Sequence, residues 1–186
     1  MNEIKSGLII FILLSVLTGL IYPVFITSLA QVFWKDKANG NLIIKDKKII
    51  GSKLIGQDFT SSQYFHGRPS SIGYGGNISG ASNLGSTNSK LITNTEKQIS
   101  EVRNENNLLV DSKMPSDLVL SSASGLDPHI SLDSALLQAS RIATVRGIAL
   151  DKLKKIIYKN LEEPQLGFLG QRRINVLTLN LDLDKI

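Results

Sequence analysis

Residues 7–34 read GLIIFILLSVLTGLIYPVFITSLAQVFW, and this stretch decides the architecture. Twenty of its 28 residues are apolar, and no Asp, Glu, Lys or Arg occurs from Ser6 to Trp34. A helix needs about 20 apolar residues to cross a bilayer. The sequence therefore predicts a short tail (1–6), one transmembrane helix (7–34) and a following domain (35–186). Gly7, Ser15, Thr18 and Gly19 are small positions through which another helix can approach closely. Tyr22, Phe33 and Trp34 lie toward the far end, where amphipathic rings favour the interface. Pro23 predicts a kink, or an end to the first half of the helix. The rival reading is a signal peptide cleaved after Ser28-Leu29-Ala30. A signal core is only about 7–15 residues long, so the length favours an anchor.

The chain of 186 residues carries 21 Lys+Arg, 16 Asp+Glu, two His and no Cys. Without cysteine there is no disulfide framework, thiol nucleophile, cysteine zinc site or lipoprotein anchor. Two distant histidines exclude a multi-His metal site within one chain. The net charge of +5 is scattered over a solvated surface, with few aromatics and no reading motif, which argues against nucleic acid. Lys35, Lys37, Lys45, Lys47 and Lys48 cluster just past the apolar run, where they can meet lipid head groups. Lysine counts on the two sides leave orientation open, because long domains translocate largely regardless of charge.

The remainder reads as an α+β domain. Leu42-Ile43-Ile44 and Ile49-Ile50 flank Asp46-Lys47, a hairpin pattern. Residues 60–88 are dense in Gly, Ser and Asn and predict a long loop. Such loops are usually functional or disordered, and Tyr64-Phe65-His66 with Arg68-Pro69 argue for an ordered start. A helix is expected over 87–104, capped by Ser86 or Thr87. Leu118-Val119-Leu120 reads as a short strand. Ser131 caps a second helix that Gly147 breaks. A third carries Leu150, Leu153, Ile157 and Leu161 inward and is closed by Pro164 and Gly167. Leu177, Leu179, Leu181 and Leu183 alternate with polar residues, the period of a half-buried strand.

No P-loop, dinucleotide fingerprint or zincin motif occurs. Ser124, Asp127 and His129 have the residue types of a triad but crowd one turn, which reads as a capped turn. Arg141 and Arg146 read as helix-surface charge near a C-terminus. His66 and Arg68 suit either an anion or partner contact or a plain surface turn. A single span, a lean domain and no visible catalytic apparatus point to an accessory subunit. A tethered extracytoplasmic enzyme and a secreted binding protein are the alternatives.

Several runs resemble the C subunit of Kdp-type potassium-transporting ATPases. They are Thr18-Gly19, Tyr22-Pro23, Ala38-Asn39-Gly40, residues 51–59 (GSKLIGQDF), 64–70 (YFHGRPS), 79–85 (SGASNLG), 115–119 (PSDLV), 122–131 (SASGLDPHIS), Gln138 with Arg141-Ile142-Ala143, Asn175-Val176-Leu177 and Leu179-Asn180-Leu181. Together they span nearly the whole chain in order. Ala81 departs from the family's usual second Gly, and Ala149 from a capping Ser or Thr. The resemblance implies a complex with a potassium-binding channel-like subunit and an ATP-hydrolysing P-type subunit. This chain has no Asp-Lys-Thr-Gly phosphorylation sequence, so it is expected to be a non-catalytic subunit supporting assembly. The family is proposed to act as a catalytic chaperone that promotes ATP binding. No bound cofactor, catalytic residue or metal is assigned, and ATP enters through the complex. The family places the soluble domain outside the plasma membrane and the N-terminus in the cytoplasm, so an effect on ATP has to be allosteric. Tyr64, Phe65, Arg68 and Asn83 are the candidate partner contacts in the loop. Gly7, Ser15, Thr18, Gly19, Tyr22 and Pro23 are the candidates on the membrane helix.

Overall fold

The structure is a computed structural model and describes residues 2–186. It falls into two compact units, one extending to Ile49 and the other covering Ile50–Ile186.

In the first unit, α1 (Asn2–Val16) and α2 (Tyr22–Phe33) are joined by a π turn over Leu17–Ile21 into one 32-residue helix. At 1.5 Å per residue it is about 48 Å long, enough to cross a membrane. None of its described residues is buried by the chain itself. A helix apolar on all sides and covered by nothing is matched to lipid or to other helices. Pro23 alters this helix without ending it. It has no amide to offer the Gly19 carbonyl, and just before it the register widens, with the Tyr22 amide bonding the Leu17 carbonyl five residues back. Thr18 and Ser28 donate their hydroxyls to the Leu14 and Val24 carbonyls at 2.7 and 2.8 Å. Both hydroxyls are thus satisfied within the helix, as an apolar medium requires. After the Phe33–Trp34 ring pair comes the short α3 (Lys35–Ala38). Strands β1 (Leu42–Lys45) and β2 (Lys48–Ser52) form the expected hairpin. Its turn residues Asp46 and Lys47 have φ of 52° and 62°, the left-handed pair that suits a two-residue hairpin loop.

The second unit contains α4 (Ser89–Glu105), β3 (His129–Ile130), α5 (Leu132–Arg146), α6 (Leu150–Lys159), β4 (Leu161–Glu162), β5 (Arg173–Asn175) and α7 (Val176–Leu183). The three short strands lie in the order β3-β5-β4, both pairings antiparallel, with Ile130 and Leu161 flanking Ile174. Helices α5, α6 and α7 pack around Ile130, Ile142, Leu153, Ile157, Ile174, Leu179 and Leu183. Ala135, Ala139 and Ala143 let α5 sit deep in that core. Ser131 caps α5 by accepting from the Ser134 amide, and Gly147 ends it in the left-handed conformation, as the sequence indicated. Helix α6 starts at Ala149 with no side-chain cap.

Four local readings need correction. The 177–184 stretch is helix α7. Val176, Leu179, Asn180 and Leu183 lie at i, i+3, i+4 and i+7, so the alternating leucines also fit a helical face, and Asn175 caps it through the Thr178 amide. Leu118 belongs to a 3-10 turn, Ser116–Leu118, set up by Pro115. The cap of α4 is Asn88, which accepts from Lys90. Helix α6 ends at Lys159 and is closed by Asn160, well before Pro164 and Gly167.

Candidate functional site

The Gly/Ser/Asn-rich stretch 60–88 is an ordered loop anchored at its start by two buried amide side chains. Asn180 on α7 accepts from the Phe65 amide at 2.9 Å and donates to the Phe65 carbonyl at 3.0 Å. Gln138 on α5 does the same for His66, accepting at 2.8 Å and donating at 3.2 Å. Each amide stands in for a neighbouring strand, so backbone that enters the core keeps its hydrogen bonds. Phe65 itself is fully buried, and so presents no surface to a partner.

Arg141 and Arg146 secure the same segment. Arg141 is almost wholly buried. It donates to Asn106 and Gln138 at 3.0 Å and to the Ser62 carbonyl, and it lies 3.4 Å from a Glu105 carboxylate oxygen. Burial pushes its guanidinium pKa down, opposed by Glu105. The other Glu105 oxygen faces His66 Nδ1 at 3.3 Å. Arg146 sits 4.9 Å above the Tyr64 ring and pairs with Asp184 at 2.7 Å, and Tyr64 donates to the same carboxylate. The sequence reading of both arginines as surface charge is overturned, because helix periodicity does not reveal which face the loop covers.

Further along, the loop clasps the 121–127 turn. Arg68 pairs with Asp127 at 3.1 Å, and the Tyr74 hydroxyl donates to the Arg68 carbonyl. Burial, with help from Asp58 and Asp127, pushes the Tyr74 phenol up to about 12. Burial alone pushes the Asp127 carboxyl up. Hydrogen bonds from the His129 ring and amide and from Arg68 outweigh it and lower the group to about 2. Ser70 donates to the Gly125 carbonyl at 2.7 Å, and the Gly56 and Gly80 amides bond Leu126 and Ser124. Gly125 has φ of 68°, and a Cβ there would lie 2.8 Å from the Gly80 carbonyl, so this approach requires glycine. Ser124, Asp127 and His129 form a capped turn: Ser124 Oγ accepts from the Leu126 amide, and Asp127 from the His129 amide.

Of the four loop candidates, only Asn83 is exposed, in the left-handed conformation; Tyr64 and Arg68 are half-buried and bonded within the chain. Beside Arg68 lies a cleft of about 480 Å³ lined by Asp58, His66, Tyr74, Glu101, Glu105 and Gln138. It is polar and can receive a polar group. Among the described residues, no group of three or more His, Cys, Asp or Glu stands ready to hold a metal ion. On the long N-terminal helix, Gly7 and Gly19 have open space where a side chain would project, which leaves both available for close helix approach.

Residues 4–185 match the family described as KdpC, K+-transporting ATPase, c chain. The chain is 46% identical to a potassium-transporting ATPase KdpC subunit from Koribacter versatilis, over 97% of this chain and 95% of that protein. It is 44% identical to those of Mycobacterium tuberculosis and Rhodospirillum rubrum, covering 100% of this chain and 99% and 96% of theirs. A match of this extent, on a fold with one apolar helix and one braced domain, places the chain in the family of potassium-transporting ATPase C chains.

Proposed function

We propose that this chain is the non-catalytic C subunit of an ATP-driven potassium pump. The observation that carries the proposal, beyond family membership, is the division of labour between the two units. A 32-residue apolar helix with no buried residue among those described is followed by a domain in which Asn180, Gln138 and Arg141 clamp the start of the loop from within. The helix is built to be covered by others, and the domain is built to hold a shape. Both suit a scaffold joining a potassium-binding channel-like subunit to an ATP-hydrolysing P-type subunit in the plasma membrane. Gly7, Ser15, Thr18 and Gly19 form the close-approach face, Tyr22 and Pro23 mark its register change, and lipid covers the rest.

In this reading the N-terminus is cytoplasmic and the domain at residues 35–186 lies outside. Any promotion of ATP binding is then a coupling free energy passed through the membrane helices, with ATP held by the P-type subunit. Two measurements test this. The chain contains no cysteine, so Asn77→Cys, in the exposed part of the loop, gives a background-free label. A membrane-impermeant maleimide added to intact cells is expected to modify it, and labelling only after lysis contradicts the orientation. Pump reconstituted without the chain is expected to show a several-fold higher KM for ATP. An unchanged KM removes the chaperone role.

A further inference from the structure

The turn at residues 164–170, PQLGFLG, is an ordered prong whose tip stands exposed. Gln165 and Leu169 exchange both backbone hydrogen bonds at 2.9 Å, and the Gly167 amide bonds the Pro164 carbonyl at 3.0 Å. Leu166, Gly167 and Phe168 are thereby held in a closed loop, and the apolar side chains on it and at its edge face solvent: Leu166 is 82% exposed, Phe168 72% and the bridging Leu169 50%. Leu166 sits at φ of 55°, a left-handed conformation that a leucine side chain disfavours. Among the described residues, no neighbour covers most of the Leu166 or Phe168 side chain. Strain of this kind, and apolar surface gathered in one place, are features of binding sites.

Charge decides what the tip fits. No charged residue occurs from Pro164 to Gln171. At the base, Arg172 pairs with Glu163 at 2.8 Å and Arg173 with Glu162 at 2.9 Å. Two cations and two carboxylates close on one another, leaving no surplus positive charge for an anionic lipid surface. We infer that Leu166, Phe168 and Leu169 form an apolar anchor that seats in an uncharged apolar cup on a companion protein subunit. This rests on the subunit reading above. The prong is one hot spot within a larger contact, since three side chains fall far short of the about 1,200–2,000 Å² of a stable interface. Its closed loop is already ordered, so little freedom is lost on docking.

The test uses the whole pump purified in mild detergent through a tag on this chain. The double variant Leu166→Ser, Phe168→Ser is expected to recover the companion subunits about tenfold less well, the scale of a hot-spot loss. Circular dichroism and amide exchange in α5 should match the wild type, because both side chains are exposed. The loss should be the same in about 0.05 and 0.5 M salt, since no charge is involved. A benzophenone amino acid placed at Phe168 is expected to crosslink to a companion subunit. Failure of the wild-type chain to recover any companion defeats the subunit reading. Normal wild-type recovery with an unaffected double variant, or crosslinks only to lipid, to a second copy or to nothing, overturns the prong.

Discussion

The loop at 60–88 and the turn at 164–170 are opposite solutions to the same problem, backbone outside regular elements. The first is polar and small in its side chains, reads in sequence as a long loop with an ordered start, and is held from within by Asn180, Gln138, Arg141 and Arg68. The second is short and apolar, lies at the Pro164 and Gly167 breakers, and holds Leu166 and Phe168 in water. Polar groups that leave solvent must find partners, and in the long loop they find them inside the chain. Apolar groups carry no such requirement for direction, and those of the turn are left uncovered.

That contrast can be broken from its buried side. The largest effect is expected for Phe65→Ala, which leaves a core cavity and should cost about 3–5 kcal/mol, read as the opening free energy of α5 and α7 amides by hydrogen exchange of the full chain. Gln138→Leu should follow at about 2–3 kcal/mol, because it strands the His66 amide and carbonyl and one Arg141 donor together. A loop docked on a partner rather than clamped to the core would show losses far below these.

Acid sharpens the same point. Asp127 titrates at about 2 in the folded chain, below its usual 3.8. A depressed carboxyl adds stability that is full above the unfolded value and is lost as pH falls from about 4 toward 2. Over that window the wild type should lose up to about 2 kcal/mol more than Asp127→Asn, measured by denaturant unfolding at each pH. Parallel pH profiles would show that the Arg68–Asp127–His129 cluster does not brace the turn. The smallest stability change belongs to the double serine variant of the prong, within about 0.5 kcal/mol of wild type, although its effect on subunit recovery is expected to be the greatest of all.

The legible parts of the chain were those with local signals. The hairpin follows from Asp46-Lys47, α5 from Ser131 and Gly147, and the long N-terminal helix from its unbroken apolar run, although it already begins at Asn2, inside the expected tail. Helix α7 was misread because leucines at every second position also place Leu179 and Leu183 one turn apart, and the deciding signal was the Asn175 cap with Thr178 three residues on. The site was far less legible. Phe65 and Asn180 are separated by 115 positions, His66 and Gln138 by 72, and Arg68 and Asp127 by 59. Pairing over such distances leaves no periodic trace. Pro164 and Gly167 marked a break in the chain at the prong, but nothing local showed that Leu166 and Phe168 would stand in water.

The most direct test of the account is recovery of partners by the native chain. Tagged full-length protein would be purified in mild detergent from cells grown at low potassium, with companions identified by mass and potassium-stimulated ATP hydrolysis assayed on the same sample. The account predicts a P-type ATPase subunit and a channel-like subunit together with that activity. A chain that emerges alone, from cells that still take up potassium through an intact pump, contradicts it.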